Sequence, residues 1–442
     1  MRILSNEVVN HVGETIHIEG WLHKKRLLGG LTFINVRDRR GLVQVVIKDK
    51  DEVEKLRGLQ IGTVLAVDGS VVEEPRAPGG AELHDAKLTV LVPVTDEPPI
   101  EIDKPIQHKA ENLDTLFEYR VLNIRNLQEQ KIFKLRGQLT KAIREFLDEH
   151  EFVEIDTPKF LAGATEGGAE VFKLDYFGKE ATLAQSPQFY KQIMVGAYER
   201  VYEIGHSYRA EPSATSRHLT ELTMLDIEMG FVQNHDEVLD MVGDMTQYAL
   251  RTVYDKFAEE LKSLNAPDLK LPQEENGQFG KIPRFTVAQI HEMYGKANNV
   301  DLSAEKDLIP DEEKWISDYA RKQLGTDLVF ATEFPIEAAK FYHKVDAENG
   351  VTMWGDLLFR GLEIATCPLR ENNYDKMIEQ MTAAGLDVTH EGFKYYLQAF
   401  KYGLPMHGGC GFGIDRLVEK TIGLQNVKEA TLFPRDINRL TP

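Results

Sequence analysis

Arginine, histidine and carboxylate side chains recur in the second half of the chain in separated segments whose makeup suits phosphate and metal chemistry. One segment is Tyr208-Arg-Ala-Glu211, followed by Ser216-Arg-His-Leu-Thr-Glu221 and Leu225-Asp-Ile-Glu-Met-Gly230. A second is Gly355-Asp-Leu-Leu-Phe-Arg-Gly-Leu-Glu-Ile364, and a third is Gly408-Gly-Cys-Gly-Phe-Gly-Ile-Asp-Arg416, which runs on to Leu432-Phe-Pro-Arg-Asp436. A guanidinium grips phosphate through two parallel hydrogen bonds and stays charged at any working pH, so Arg209 and Arg416 are natural anion clamps. Asp356 and Glu363 offer the oxygen ligands that a hard divalent cation such as Mg2+ takes when it also bridges phosphates. Taken one at a time, these residues have plainer roles. An isolated arginine is more often a surface ion pair, and two carboxylates on a strand are as often structural.

The elements that must position these groups fall into two regions. Residues 1–95 read as β, with runs at Thr15–Leu22, Leu31–Arg37, Leu42–Ile47, Val64–Val72 and Ala86–Val92. Turn residues separate them, including Gly29-Gly30, Arg40-Gly41 and Pro78-Gly79-Gly80. Five short strands in under a hundred residues predict a small five-stranded barrel of the oligonucleotide-binding (OB) type. Residues 96–127 lack periodicity and read as a linker. From Gln128 to His150 the apolar residues Ile132, Leu135, Leu139, Ile143, Phe146 and Leu147 fall at helical spacing, which predicts a long amphipathic helix. Val153–Phe160 then reads as a strand ending at Pro158. Residues 128–442 mix strands and helices without regular β-α alternation, so the class is α+β rather than a doubly wound parallel sheet.

Composition narrows the choice further. A chain of 442 residues, 42% hydrophobic and 28% charged, can bury a large core in two or three domains. The stretch Leu88–Val94 is far short of the ~20 apolar residues of a membrane span. Two cysteines, Cys367 and Cys410, cannot build a disulfide scaffold or a four-ligand zinc site, and they suit a reducing cytoplasm. No secretory signal is visible at the start. The net charge of −19 argues against a general nucleic-acid coat, yet residues 21–50 carry eight basic and two acidic side chains. A local basic surface on an acidic protein lets a polyanion dock in one orientation.

The separated segments, in this order, resemble the three signature motifs of class II aminoacyl-tRNA synthetases, and the whole chain is similar to the archaeal-type aspartyl enzymes of that class. The helix and the strand ending at Pro158 resemble motif one, Arg209–Glu228 motif two and Gly408–Arg416 motif three. The resemblance implies an N-terminal OB-fold barrel that reads an anticodon, a linker, and a catalytic domain built on an antiparallel sheet flanked by helices. It implies a homodimer as well, because motif one builds a twofold interface in this class. The implied activity is ATP- and Mg2+-dependent activation of L-aspartate to an adenylate and transfer to tRNA. Joining an anionic nucleophile to an anionic α-phosphate requires fixed positive charge but no general base, since the carboxylate is already ionised. The scattered cations are therefore expected to converge around a triphosphate, with a dicarboxylic amino acid beside it.

The resemblance also implies a site, residue by residue. Arg209 and Arg416 match the catalytic clamps, and Ala210, Glu211, Arg217, His218, Leu219, Glu363, Gly413, Ile414 and Asp415 complete the ATP set. Within it, Glu211 matches the reader of the adenine amino group, and Arg217 and His218 match the loop that reaches the outer phosphates. Asp356, Glu363 and Thr366 match the metal site. Aspartate is expected at Gln188, Phe189, Tyr190, Lys191, Arg209, Thr366 and Arg370, with Glu166 on a loop near the substrate ammonium. Lys191 favours aspartate over asparagine, because a neutral amide would leave its charge poorly satisfied. In the barrel, Phe33 matches a base-stacking aromatic and Gln44 a base-edge amide, with Arg26 beside them. His23 and Pro78 occur where the relaxed-specificity branch, which charges both tRNA(Asp) and tRNA(Asn), tends to carry His and Pro.

The chain departs from the family pattern beside the amino-acid site. After Glu363-Ile-Ala-Thr366 come Cys367, Pro368 and Leu369 where Gly-Gly-Gln is usual, and Asn372 stands in place of a histidine. Proline fixes φ and removes a donor N–H where glycine would allow close backbone approach. Lys340 replaces a usual proline, and Leu27 a common aspartate. Other readings are a paralogue that hands its adenylate to a non-tRNA acceptor, as an amide-forming ligase would, a non-catalytic tRNA-binding protein, and an asparagine–tRNA ligase. The barrel counts against the first, retention of the nucleotide residues against the second, and Lys191 against the third.

Overall fold

The computed structural model describes residues 1–28, 31–106, 110–163, 170–213 and 215–442, without the side chains of 110–112. The chain forms two compact units, Met1–Gln130 and Lys131–Thr441. The predicted Gly29-Gly30 turn and Glu166 lie outside the described residues.

In the first unit, β1 (Thr15–Leu28), β2 (Leu31–Arg37), β3 (Leu42–Ile47), β4 (Val64–Glu73) and β5 (Ala81–Val92) close a barrel in the order β1-β2-β3-β5-β4. All neighbours are antiparallel except β3 and β5. Period-2 alternation, clearest in β2, turns one face of the strands inward: Ile34, Val36, Val43, Val45, Leu65 and Val67 all enter one buried cluster. Phe33, Asn35 and Arg37 alternate to the outside of β2 and are half-buried. A short helix, α1 (Lys50–Arg57), joins β3 to β4. Asp49 caps its start by accepting from the Asp51 and Glu52 amides at 2.9 and 3.1 Å. Lys25 serves the other end, donating to the carbonyls of Leu56 and Leu59 at 3.1 and 2.6 Å. The β4–β5 connection needs its glycines, since Gly79 and Gly80 sit at φ 75° and 81°.

The segment read as an aperiodic linker contains helices α2 (Ala110–Glu118) and α3 (Arg120–Asn123). What fixes α3 is a buried ion pair rather than an apolar stripe. The Arg120 guanidinium, 2% exposed, donates to Asn123 Oδ1 at 2.6 Å and Glu129 Oε2 at 2.8 Å. Hydrophobic periodicity cannot register such an anchor.

Helix α4 (Leu127–Glu149) begins before the boundary between the units and runs into the second. Its predicted apolar stripe is buried throughout. The strand expected over Val153–Phe160 is much shorter: β6 is Val153–Glu154, and Phe160 already belongs to β7 (Phe160–Leu161). Next come β8 (Lys173–Tyr176), β9 (Lys179–Leu183), α5 (Gln188–Tyr198), β10 (Arg200–Tyr208), β11 (Glu221–Gly230), α6 (His235–Lys256) and α7 (Ala258–Ser263). An inserted stretch follows with β12 (Arg284–Thr286), α8 (Val287–Asn298), α9 (Pro310–Tyr319) and β13 (Leu328–Thr332). The remainder holds β14 (Val345–Asp346), β15 (Val351–Thr352), β16 (Trp354–Phe359), β17 (Leu362–Pro368), α10 (Tyr374–Ala383), α11 (Lys394–Lys401), β18 (His407–Gly413) and α12 (Ile414–Ile422).

Eight of these strands form one sheet in the order β12-β13-β16-β17-β18-β11-β10-β6. Its pairs are antiparallel except at the two ends, where β12·β13 and β10·β6 are parallel. One face is covered by α4, α6 and α12. Leu225, Ile227, Phe412 and Ala365 from the strands join Leu139, Val242 and Leu417 from the helices in one core. Alternation along β11 then turns Asp226 and Glu228 to the opposite face.

Candidate active site

Strand register brings the chemistry-bearing residues together on that second face. Glu203 pairs with Asp226, Asp226 with Gly411, Gly411 with Thr366, and Thr366 with Asp356. Directly paired residues point the same way, so one row of side chains crosses β10, β11, β18, β17 and β16. Gly411 contributes no side chain, which leaves the middle of the row low. A register shift between Leu357 and Leu358, with Ile364 the extra residue on β17, pairs Glu363 with Leu358. Such a bulge re-aims a side chain: Glu363 Oε1 accepts the Thr366 hydroxyl proton at 3.1 Å.

Two adjoining groups of charges result. The outer group centres on Glu363. Arg416 Nη1 donates to the Glu363 carbonyl at 2.8 Å and to its Oε2 at 3.3 Å. Burial raises the Glu363 pKa, but Arg416, the Thr366 hydroxyl and Arg209 together hold it below the usual carboxylate value. Asp356, which accepts from the Trp354 indole at 2.6 Å, behaves in the opposite way: burial and the Glu363 charge push it well up. Two neighbouring carboxylates forced apart in this manner are what a divalent cation would relieve. Among the described residues no group of three or more His, Cys, Asp or Glu is arranged to hold a metal. The donor set is thus two carboxylates and a hydroxyl, all oxygen, which fits Mg2+ sharing its sphere with phosphates.

The loop between β10 and β11 carries Arg209, Ala210, Glu211, Arg217, His218 and Leu219 of the predicted nucleotide set. Arg209, with a side chain 37% exposed, lies 3.8 Å from Glu211, and His218 lies 3.5 Å from the same carboxylate. Ala210 is fixed through its amide to the Glu170 carbonyl. Arg217 donates to Glu313 on α9 at 3.0 Å. Burial drives the Glu313 carboxyl up to about 7, against the pull of Arg217.

The inner group is buried. Lys191 Nζ, 1% exposed, donates to Asp226 Oδ1 at 2.8 Å and to the Cys410 carbonyl at 2.9 Å, with Glu228 at 3.6 Å. Arg370 makes a forked pair with Glu228 at 3.1 and 3.2 Å and lies 5.2 Å over the Tyr342 ring. Burial disfavours the Glu228 charge, yet Arg370 and Lys191 keep its pKa below normal. A hydrogen-bonded chain adjoins it. Gln188 donates to Gln192, Tyr396 donates to the same amide oxygen, and the Gln192 amide meets His407 Nε2 at 2.8 Å. His407 Nδ1 faces the Pro405 carbonyl at 2.8 Å, and burial lowers the pKa of the ring, so neutral His407 donates there and accepts from Gln192.

Some expected positions are structural rather than exposed to the site. Phe189 stacks on Tyr396 at 4.2 Å within an aromatic cluster, and Tyr190 beside it is half-buried. Ile414 is core and Leu219 is buried. Gly413 caps the start of α12, and the Asp415 carboxylate joins Arg136 to the Thr223 amide at 2.9 and 2.8 Å. The unusual segment Cys367-Pro368-Leu369 is absorbed by alternation. Cys367 and Leu369 point into the core, and only Pro368, at the end of β17, shares the face of Thr366. The sequence marks the segment Leu225–Gly230 but assigns no role to Asp226 or Glu228, and Glu313 carries no signal there. The first two were legible as two carboxylates two residues apart in a strand segment beside the nucleotide loop. They share a face, and buried there they demand cations.

In the barrel, Lys24, Arg26, Leu28, Phe33, Asn35 and Gln44 line a cleft of about 180 Å3. The Gln44 amide donates to Glu82 at 2.7 Å. His23 is buried, and burial lowers its pKa with help from Arg37. Pro78 stands apart from the cleft, in the β4–β5 turn.

A closed five-stranded barrel and a mostly antiparallel sheet with clustered arginines and carboxylates define a class. Residues 112–437 match the family described as tRNA synthetases class II (D, K and N), and residues 16–91 match the OB-fold nucleic acid binding domain. The chain belongs to the class II tRNA synthetase family. It is 39% identical to an aspartate–tRNA(Asp/Asn) ligase of Thermus thermophilus, with all of both chains covered. It is 37% identical to an aspartate–tRNA(Asp) ligase of Pyrococcus furiosus, with 99% of each covered. Among solved structures it superposes on the asparaginyl-tRNA synthetase of Pyrococcus horikoshii complexed with asparaginyl-adenylate. There the TM-score is 0.89 and the identity 28%, with both chains fully covered.

Proposed function

We propose that the chain is an aspartate–tRNA ligase that charges tRNA(Asp) and also tRNA(Asn). The observation that carries the aspartate assignment is the buried pair Lys191 and Arg370. Each is held in place by a carboxylate of β11, and Lys191 keeps one N–H without a partner in hydrogen-bonding distance among the described residues. An aspartate side chain supplies the acceptor and the negative charge that a lysine N–H favours, and asparagine supplies only a neutral carbonyl.

In the proposed reaction an α-carboxylate oxygen of aspartate attacks the α-phosphorus of ATP, and the bond to the departing pyrophosphate breaks. Arg209 holds the α-phosphate and carboxylate together, so that charge developing at phosphorus meets a fixed cation. Arg416 holds the nucleotide, and Arg217, released from Glu313, turns to the outer phosphates. Asp356, Glu363 and Thr366 are the residues that would hold Mg2+, which supplies neutralisation of triphosphate charge. A terminal ribose hydroxyl of tRNA then takes the acyl group, and AMP leaves.

The outward Phe33 and the cationic cleft around it suit a splayed anticodon base. Relaxed tRNA choice is supported by relatives named for both tRNAs; His23, which is buried, and Pro78, outside the cleft, add nothing to it. A homodimer is supported by β6, which ends the sheet with a free edge, and by Val153 exposed on it. No described helix is long and apolar enough to cross a membrane, and both cysteines are free thiols, as a reducing cytoplasm would keep them. Pyrophosphate exchange with aspartate and with asparagine, beside charging of both purified tRNAs, tests the proposal. Exchange confined to aspartate with charging of both tRNAs is expected. Exchange with asparagine alone, or exchange without charging of either tRNA, would overturn it.

A further inference from the structure

Arg217 and His218 belong to a turn whose backbone is fixed on both sides. The Ser216 carbonyl accepts from the Val427 amide at 3.0 Å, and the Thr215 hydroxyl oxygen accepts from the Arg217 amide at 3.3 Å. Leu219, just beyond, is buried. The Arg217 side chain, about one-third exposed, is what remains free to change partner. Its partner in the structure is Glu313, whose Oε2 accepts from Arg217 Nη1 at 3.0 Å.

Glu313 cannot follow that side chain. It sits near the start of α9, which Pro310 opens and Glu312 fixes. One Glu312 oxygen accepts from the Ile309 amide at 3.1 Å, and the other meets His291 on α8 at 2.7 Å. Ile316 is fully buried behind them, and Trp315 stacks on Tyr319. Among the described residues Arg217 is the one side-chain donor that reaches the Glu313 carboxylate. That carboxylate is only 15% exposed, so its charge depends on the cation.

The pair borders the outer group of charges. The Glu363 charge repels the Glu313 carboxylate and Arg416 attracts it. A carboxylate in this position offsets the clustered arginines, but it is like-charged with a triphosphate laid across them. Arg217 therefore stands between two anions, one fixed on α9 and one that arrives and leaves as substrate and product. No residue of the inserted stretch belongs to the site that the sequence predicts, so this is a separate link between α9 and the nucleotide.

We propose that Glu313 is a positioning residue that competes with the outer phosphates for Arg217: ATP draws the guanidinium away, and Glu313 takes it back as pyrophosphate departs. The inference rests on the reading of Arg217 as a ligand of the outer phosphates. It gives Glu313 the opposite sign to the nucleotide residues named above. They strengthen nucleotide binding, and Glu313 weakens it and so speeds product release.

Equilibrium binding of ATP, pyrophosphate and AMP to the full chain, with Mg2+ and without aspartate, tests this. At pH 8 the Glu313 carboxyl, raised to about 7, is charged. Glu313→Gln keeps the shape and removes the charge. It should bind ATP and pyrophosphate roughly threefold to tenfold more tightly, as expected from losing a part-buried charge-assisted pair, with AMP unchanged. Arg217→Ala should weaken ATP and pyrophosphate but not AMP, and on that background Glu313→Gln should lose most of its effect. If Glu313→Gln binds ATP no more tightly than wild type, the pair is merely structural and the proposal is overturned. Equal tightening of AMP would overturn it, and so would an undiminished gain on the Arg217→Ala background, where Glu313 would be repelling phosphate directly. Unchanged ATP binding in Arg217→Ala would instead remove Arg217 from the outer phosphates, and the competition with it.

Discussion

Replacing Lys191 by methionine removes the group assigned to the aspartate side chain, but it also takes the lysine charge at 2.8 Å away from buried Asp226. Breaking a buried pair from one side costs about 3–5 kcal/mol, so the single variant confounds recognition with folding. The pair Lys191→Met/Asp226→Asn removes both charges and restores neutrality. Two of the three lysine N–H groups are committed to Asp226 and Cys410, so substrate loses one charge-assisted hydrogen bond, about 1.5–3 kcal/mol. At about 1.4 kcal/mol per decade, the KM for aspartate in pyrophosphate exchange should rise roughly tenfold to 150-fold. The KM for ATP should change by less than about threefold, because Arg209, Arg217 and Arg416 are untouched. Discrimination against asparagine should fall in parallel. If the double variant instead recovers the wild-type KM for aspartate while the single one does not, Lys191 merely neutralises Asp226. Lys191 would then not recognise the aspartate side chain.

Other consequences are checked separately. Phe33→Ala should raise the KM for tRNA in charging by the loss of a stacked base, about 1–3 kcal/mol, with pyrophosphate exchange unchanged. Glu363→Gln should weaken the dependence of exchange on Mg2+ and shift its midpoint to higher concentration, while aspartate affinity is kept, as magnesium titrations would show. Asp244 on α6 is half-buried; burial, and then the Asp240 charge, raise its carboxyl to about 6. A carboxyl whose pKa is raised on folding favours the folded state below its unfolded value and loses that advantage as pH climbs through the folded one. Stability is therefore lost between about pH 4 and 6, and Asp244→Asn should raise the melting temperature at pH 8 by the equivalent of about 1 kcal/mol, after discounting for solvent screening. The gain should vanish near pH 4.

The barrel was legible from its alternating apolar residues: Leu31–Arg37 and Leu42–Ile47 have the same bounds in sequence and structure, whereas β1 runs on past Leu22 to Leu28 and β5 starts at Ala81 rather than Ala86. The stripe of α4 was equally plain. The linker helices were not, because α3 is fixed by the Arg120–Glu129 pair rather than by an apolar face. In the site, single cations were readable from type and segment. Their counterions were less so, since the partnership of Lys191 with Asp226 depends on register across β11 and β18. Pro368 showed the converse. As one residue beside the substrate segment it signalled a changed pocket, yet the strand continues to it while Cys367 and Leu369 turn inward.

The most direct test is a structure with a non-hydrolysable aspartyl-adenylate analogue. The β-carboxylate should lie about 3 Å from Lys191 Nζ and from the Arg370 guanidinium, with the phosphate mimic at Arg209. An analogue bound with that carboxylate in solvent, and Lys191 still closed on Asp226 alone, would contradict the account.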